Sequence, residues 1–290
     1  MGIVNVTADS FSGDGLAAAK PEVAIAQARA MAAAGADILD LGAESTRPGA
    51  EPVDSATEQA RLLPVLHGLR DIGLPISVDT RYAATMRAAL AAGAAIINDI
   101  SALEDDPESL GLVAQAGCPV VLMHKRGQPA TMQQDPRYGD VVADVLRYLQ
   151  ERVEACIKAG IRRESIILDP GIGFGKTVAH NAALLRALPR FAALGLPLLV
   201  GLSRKSMIGA LADQPDPRQR LGGSLAGALF AASRGAHILR VHDVAETVQA
   251  LKVWRALDLP DPADMMTKAQ RDAAGLDAAS RDAAPLGDRT

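Results

Sequence analysis

The chain has 290 residues, 49% of them hydrophobic, which is enough apolar material for one barrel-sized domain or two small ones, one domain being the simpler reading. Its formal charge is −4 and its lysines and arginines are scattered, which argues against a nucleic-acid stripe or a polybasic membrane anchor, and no apolar run is long enough to span a bilayer. The two cysteines, Cys118 and Cys156, lie far apart without metal-ligand spacing and read as free thiols in a reducing compartment, so a soluble cytoplasmic protein is expected.

Taken in order, the chain repeats one event: a short apolar run, a polar residue, a loop, then a helical pattern. Residues 1–6 (MGIVNV) predict a strand with Asn5 near its end, followed by a polar loop and an alanine-rich helix over 22–34 that Gly35 closes. A strand over 38–41 leads into the loop GAESTRPG, which carries Thr46, Arg47 and Pro48, and a helix from about 56 to 69. The run ISV ends in Asp79 and precedes a helix over 83–91; the run 95–97 ends in Asn98 and Asp99 and precedes a helix ending near Gly117. Residues 119–123 end at His124, followed by a long excursion and a helix over 141–158.

The sixth strand lies in the stretch IILDPGIGFGK, residues 166–176, where three apolar residues suit a strand buried on both faces and Asp169 stands at its tip. Its glycines fit neither common phosphate motif. A P-loop would need glycine where Pro170 stands, and the third glycine of a dinucleotide fingerprint would fall on Lys176. They read instead as a loop that lets the backbone approach a ligand held by Asp169. A seventh strand over 198–200 opens onto GLSRK, with Ser203 and Lys205. An eighth over 238–241 puts Arg240 and His242 two apart, on one strand face, before a helix over 244–257.

Eight strand–helix units imply parallel pairing, because each return needs a crossover helix. The natural closure is a (β/α)₈ TIM barrel over 1–257, close to the usual length of about 250 residues, with a doubly wound open sheet as the alternative. Residues 258–290, rich in Ala, Asp and Arg, read as a solvated tail.

In such a barrel ligands bind at the carboxyl ends of the strands, where Asn5, Asp79, Asn98, Asp169, Lys205, Arg240 and His242 fall. The acids and amides suit the edge of a flat heterocycle bearing N–H groups, and the cations suit an anionic group. The five histidines show no HExxH spacing and no hydrolytic triad is evident; His67, His180 and His237 read as ordinary structural or surface residues. A metal, if used, is expected to be Mg²⁺ held mainly by phosphate and water with one amide oxygen.

The segments MGIVNVTADSFSGDG, ESTRPG, SVDT, INDI, LMH with GQPATMQ, ILDPGIGFGK, GLSRKSMIG and ILRVHDV resemble, in order, the motifs of bacterial dihydropteroate synthases and cover nearly all of 1–257. The resemblance implies a TIM-barrel transferase that joins p-aminobenzoate to (7,8-dihydropterin-6-yl)methyl diphosphate with Mg²⁺, acting as a homodimer on small molecules, with no nucleic-acid or membrane partner. Carried over by position, it implies that Asp79, Asn98, Asp169 and Lys205 hold the pterin, that Asn5 ligates Mg²⁺, and that Arg240 and His242 clamp the diphosphate. Thr46, Arg47, Pro48, Phe174, Ser203 and Lys205 match the p-aminobenzoate pocket, and Lys205, Asp169, Arg240 and His242 are the expected catalytic group; Phe11 and Pro48 keep the identity associated with sulfonamide binding.

Three departures stand out. Ala8 replaces a usual proline in the first loop, where Gly13 and Asp14 are also exchanged; the stretch His124, Lys125, Arg126 is more basic than usual; and the family normally carries residues ahead of the first strand. The altered loop motivates a second reading, a non-catalytic pterin-binding paralogue. A methyltetrahydrofolate methyltransferase is a third, which the intact SRKS and STRP segments argue against.

Overall fold

The structure, a computed structural model, describes residues 1–6, 20–44, 53–127 and 131–258. Its eight strands are β1 (Gly2–Asn5), β2 (Leu39–Gly42), β3 (Ile76–Asp79), β4 (Ile96–Asp99), β5 (Val120–Met123), β6 (Ile166–Asp169), β7 (Leu199–Val200) and β8 (Ile238–Leu239). β1 to β6 pair in parallel in sequence order, and β7 pairs in parallel with β8.

Two junctions close the ring. Leu168 bridges Leu198, with the Leu168 N–H donating to the Pro197 carbonyl at 2.9 Å. On the other side Val241 bridges Gly2, with Ile3 N donating to Val241 O at 2.9 Å and Val241 N to Met1 O at 3.0 Å. The result is the expected closed (β/α)₈ barrel and not an open sheet. The last two strands are shorter than 198–200 and 238–241 because pairing there becomes irregular: His237 N and Ile238 N both donate to the single carbonyl of Leu198.

The helices are α1 (Pro21–Ala33), α2 (Ser55–Gly68), α3 (Ala83–Ala91), α4 (Ser109–Ala116), α5 (Val141–Lys158), α6 (Val178–Arg186), α7 (Leu188–Ala192), α8 (Ser206–Leu211), α9 (Leu221–Ala232) and α10 (Val244–Asp258). Local chemistry sets their ends. Asp54 accepts from Thr57 N at 2.8 Å to start α2, and Asp140 accepts from Val142 N at 2.9 Å to start α5, each satisfying a backbone donor the helix cannot. Thr177 and His180 form a reciprocal capping box on α6, which accounts for His180 without any ligand. Pro189 in the first turn of α7 separates it from α6, and Gly117 ends α4 at a φ of 64°, a left-handed conformation that side chains resist.

The strand period of two sorts the core. Outward residues such as Val4, Leu39, Leu41 and Val78 pack under α1 and α2, while Ile97, Val120, Leu122, Ile166 and Leu168 pack under α5 and α6 with the fully buried Phe191. Truncating one of these, as in Leu122→Ala, costs about 2–5 kcal/mol through lost burial and the cavity left behind. Inward residues Met1, Ile96, Val121, Ile167 and Leu199 form a separate apolar plug with Ile38 and Ile238. Cys156 is buried and Cys118 partly so, both as thiols. The compact unit runs Met1–Val248; Gln249–Thr290 form a second unit, of which the end of α10 is described.

Candidate active site

Two residues above the plug, the inward face changes from apolar to charged. On β2, β4, β6 and β8 the same step of two turns Ile38, Ile96, Ile167 and Ile238 into Asp40, Asn98, Asp169 and Arg240. Asp79 ends the neighbouring β3, paired in register with Asn98 and Gly42. Five strands therefore deliver polar side chains at or just beyond their ends to one mouth, above an apolar floor.

These residues form two linked groups. In the first, Arg240 donates from Nε to Asp40 at 2.6 Å and from Nη2 to Asp79 at 2.8 Å, while Asn98 Nδ2 lies 3.2 Å from the same Asp40 oxygen. Burial drives the Asp79 carboxyl up to about 7, with Arg240 pulling it down and the charge of Asp40 pushing it further up. Burial works against the Arg240 charge too, but Asp40 and Asp79 outweigh it and the net shift is upward. The sequence assigned Arg240 to an anionic group; here its guanidinium rests between two carboxylates.

The second group joins Asp169 to Lys205. Burial raises Asp169, opposed first by the charge of Lys205 and then by the Gly171 N–H, which donates to it at 2.7 Å. Burial brings Lys205 down to about 8, opposed by Asp169 and assisted by Arg240. The Lys205 ammonium donates to the Ile172 carbonyl and stands 4.7 Å from the centroid of the Phe174 ring, a cation–π contact. Asp169 and Lys205 thus face the same space, each being the largest charge acting on the other.

The loop after β6 is held from beneath by Lys176, 3% exposed, which donates to Gly171 O at 2.8 Å, Phe174 O at 2.9 Å and His124 O at 3.2 Å. Burial brings this amine down to about 7, and burial with the nearby charge of Lys176 brings His124 down to about 3. Gly171 has a φ of +68°, and a Cβ there would meet the His124 carbonyl oxygen at 1.9 Å, so this close approach of β5 and β6 requires glycine.

At the β7 and β8 ends, Ser203 Oγ lies 3.1 Å from His242 Nδ1 and accepts from His242 N at 3.2 Å. Arg204, in the left-handed region at a φ of 60°, is tied to Asp243 through Nε at 3.0 Å, which joins the two loops. Lys125 pairs with Asp105 at 2.5 Å and Arg126 covers the Tyr138 ring, so the basic stretch after β5 is engaged with the protein itself. Asn5 is half-buried at the end of β1. His67 and His237 are exposed, the latter accepting from Leu198 N at 3.1 Å. Thr46, Arg47, Pro48, Phe11 and the altered loop with Ala8, Gly13 and Asp14 lie outside the described residues.

Asp40, Lys176 and the side chain of His124 escape a reading based on strand ends. The signal for Asp40 was present: a lone charge inside the apolar run 38–41 has to find a buried partner. Lys176 offered only the end of a failed phosphate motif, and its true direction, back under its own loop, is visible only in three dimensions. Among the described residues no group of three or more His, Cys, Asp or Glu side chains could hold a metal. A single amide, that of Asn5 at the end of β1, suits a Mg²⁺ only as one oxygen ligand among waters and phosphate oxygens.

Comparison with known proteins agrees with this geometry. Residues 1–242 match the family model described as pterin binding enzyme. The chain is 50% identical over 263 residues to dihydropteroate synthase of Neisseria meningitidis serogroup B, covering 89% of this chain and 92% of that one. Among solved structures it is similar to Xanthomonas albilineans dihydropteroate synthase with 4-aminobenzoic acid, at a TM-score of 0.83 and 50% identity over 89% of this chain and 93% of that one. It is likewise similar to the Xanthomonas albilineans enzyme in complex with 7,8-dihydropteroate, at a TM-score of 0.80 and 48% identity over 89% and 93% of the two chains. A mouth built from buried acids, an amide and two facing cations, on a barrel that matches over its whole ring, places the chain in the pterin-binding enzyme family, among the dihydropteroate synthases.

Proposed function

We propose that the barrel mouth joins p-aminobenzoate to (7,8-dihydropterin-6-yl)methyl diphosphate, releasing 7,8-dihydropteroate and diphosphate. The observation that carries this reading is the facing pair Asp169 and Lys205 beside the Asp79, Asn98 and Arg240 group. A pterin presents N–H donors along its pyrimidine edge, which buried carboxylates and an amide oxygen accept, and ring acceptors that Lys205 meets as a donor.

The chemistry asks little of a base. The amine nitrogen of p-aminobenzoate attacks the pterin methylene carbon, the carbon–oxygen bond breaks, its electron pair leaves with the diphosphate, and the amine gives its extra proton to water. The electron-rich dihydropterin spreads the positive charge left on the methylene. Arg240 supplies preorganised positive charge and His242 a hydrogen bond for the departing diphosphate, the role for which such groups are most effective. Phe174, Ser203 and Lys205 form one wall of the p-aminobenzoate site; Thr46, Arg47 and Pro48, which the family resemblance assigns to the same site, lie outside the described residues. Asn5 would hold a Mg²⁺ that, when bound, neutralises charge on the diphosphate. The reading extends to a homodimer working in the cytoplasm, which sedimentation and cell fractionation would test; no helix among the described residues is long and apolar enough to cross a membrane.

Purified protein given both substrates and Mg²⁺ tests the reading. Release of diphosphate together with dihydropteroate is expected. Pterin binding with no diphosphate release would favour the non-catalytic paralogue, the reading that the altered first loop motivates.

A further inference from the structure

We infer that Asp40 is a positioning residue of the pterin pocket: from the floor of the mouth its carboxylate sets which end of the Asn98 amide faces the ligand and where the Arg240 guanidinium rests. The inference deepens the pterin-transfer reading and rests on it.

Three observations carry it. Asp40 is 0% exposed on β2, one step of two above the apolar plug, and so cannot itself be reached by a substrate in the mouth without displacing its partners. Its Oδ2 accepts from Arg240 Nε at 2.6 Å and from Asn98 Nδ2 at 3.2 Å, and its Oδ1 lies 3.4 Å from the same Nδ2. Those partners come from just beyond β8 and from β4, so one carboxylate ties together side chains from both sides of β2.

The consequence for specificity follows from amide chemistry. An asparagine side chain has a donor end and an acceptor end of nearly equal size, and packing alone hardly distinguishes them. Beside a carboxylate the two are unequal, because turning Oδ1 toward Asp40 would set an acceptor against an anion. Asp40 therefore commits Nδ2 of Asn98 to itself and leaves Oδ1 as the end offered to a ligand N–H. A pterin edge rich in N–H groups needs that acceptor; a heterocycle presenting a carbonyl there would be rejected.

Asp40 also decides what Arg240 does when a ligand arrives. The guanidinium bridges Asp40 and Asp79, and Asp79 is the carboxylate nearer the strand end. If a ligand N–H takes Asp79, Arg240 still has the buried Asp40 as an anchor through Nε, and its remaining N–H groups stay beside the mouth. The same like charge contributes to the upward shift of Asp79.

The test is Asp40→Asn, which keeps shape and removes charge. The probe is 6-hydroxymethyl-7,8-dihydropterin binding by calorimetry without p-aminobenzoate, together with steady-state kinetics. Expected are pterin binding weakened about 10- to 100-fold, the scale of losing a charge-assisted hydrogen bond, a matching rise in KM for the pterin diphosphate, and a KM for p-aminobenzoate within about threefold of the parent. The acid limb of pterin binding should also move to lower pH, because the charge that helps to raise Asp79 is gone; a purely structural loss would leave that limb in place. Binding within about threefold of the parent, or an unmoved limb, overturns the inference. If Asp40→Asn does not fold, nitrogen-15 NMR of the unmutated protein decides, with Asn98→Ala for assignment: exchange-protected Asn98 amide protons support the bond to Asp40, and protons exchanging like those of an exposed asparagine overturn it. Unmutated protein that binds no pterin at all would instead bring down the pterin-transfer reading, and this inference with it.

Discussion

The side-chain nitrogen of Lys176 lies 3.0 Å from Nδ1 of His124, in a pocket where burial lowers the proton affinity of both groups. With its amine at about 7 in the folded chain against an ordinary 10.5, the native state binds fewer protons than the unfolded one between those values, so stability from this residue rises with pH across that window. Lys176→Met removes the slope and strands the carbonyls of Gly171 and Phe174. A loss of about 2–6 kcal/mol in chemical denaturation near pH 9 is expected, at about 1–3 kcal/mol for each of the two unpartnered buried groups. A variant as stable as the parent there, with the slope intact, would show that the amine is not the tie.

Lys205→Ala should lower turnover by about 10² to 10³, the scale for removing one preorganised charge-stabilising contact. Folding should survive, because Lys205 is only half-buried and donates to a loop carbonyl that Lys176 does not need. Circular dichroism checks the fold and kcat checks the role; a loss of less than about threefold contradicts it.

The pH dependence of kcat/KM for the pterin diphosphate should be bell-shaped about a narrow maximum. Asp79 is a carboxylate only above about 7, so activity rises as pH climbs through that value. Lys205 is a cation only below about 8, so activity falls as pH passes it. A profile flat across neutral pH would remove one or both groups from the free enzyme's essential set.

Glu58, fully buried on α2, accepts from Thr80 Oγ1 at 2.6 Å just beyond Asp79. Burial raises its carboxyl from 4.5 to about 7, so the native state binds more protons in that interval and stability falls as pH rises through it. Glu58→Gln should therefore leave Tm nearly unchanged at pH 5 and raise it at pH 8, with an upper limit of about 3 kcal/mol at 1.36 kcal/mol per pK unit. Equal Tm differences at both values would deny that Glu58 is protonated in the folded chain.

Gly171→Ala should be among the most damaging single-methyl changes in the molecule. The new Cβ would meet a backbone oxygen that cannot swing away, in a conformation that disfavours alanine. Forcing the strands apart displaces both Asp169, which accepts from the Gly171 N–H, and the Ile172 carbonyl that holds Lys205. Strongly reduced soluble yield, or folded protein with pterin affinity lost, is expected; normal affinity would refute the assigned close approach.

What the sequence determined by itself was periodic: eight repeats of strand, polar residue and helix, with Asn5, Asp79, Asn98, Asp169, Lys205, Arg240 and His242 at the strand ends. Those features are local, set by side-chain alternation and by the capping chemistry of residues such as Asp54, Asp140 and Gly117. What only the tertiary structure decided was pairing. Arg240 meets an aspartate 200 positions away and another 161 away because closing the ring brings β8 beside β1, and no local pattern encodes which acid it will choose. The partners of Asp40 lay hidden for the same reason, although its lone charge in an apolar run was in plain view. The shifted proton affinities of Asp79, Lys205 and Lys176 come from burial that exists only once the helices have covered the strands, when water can no longer solvate a charge.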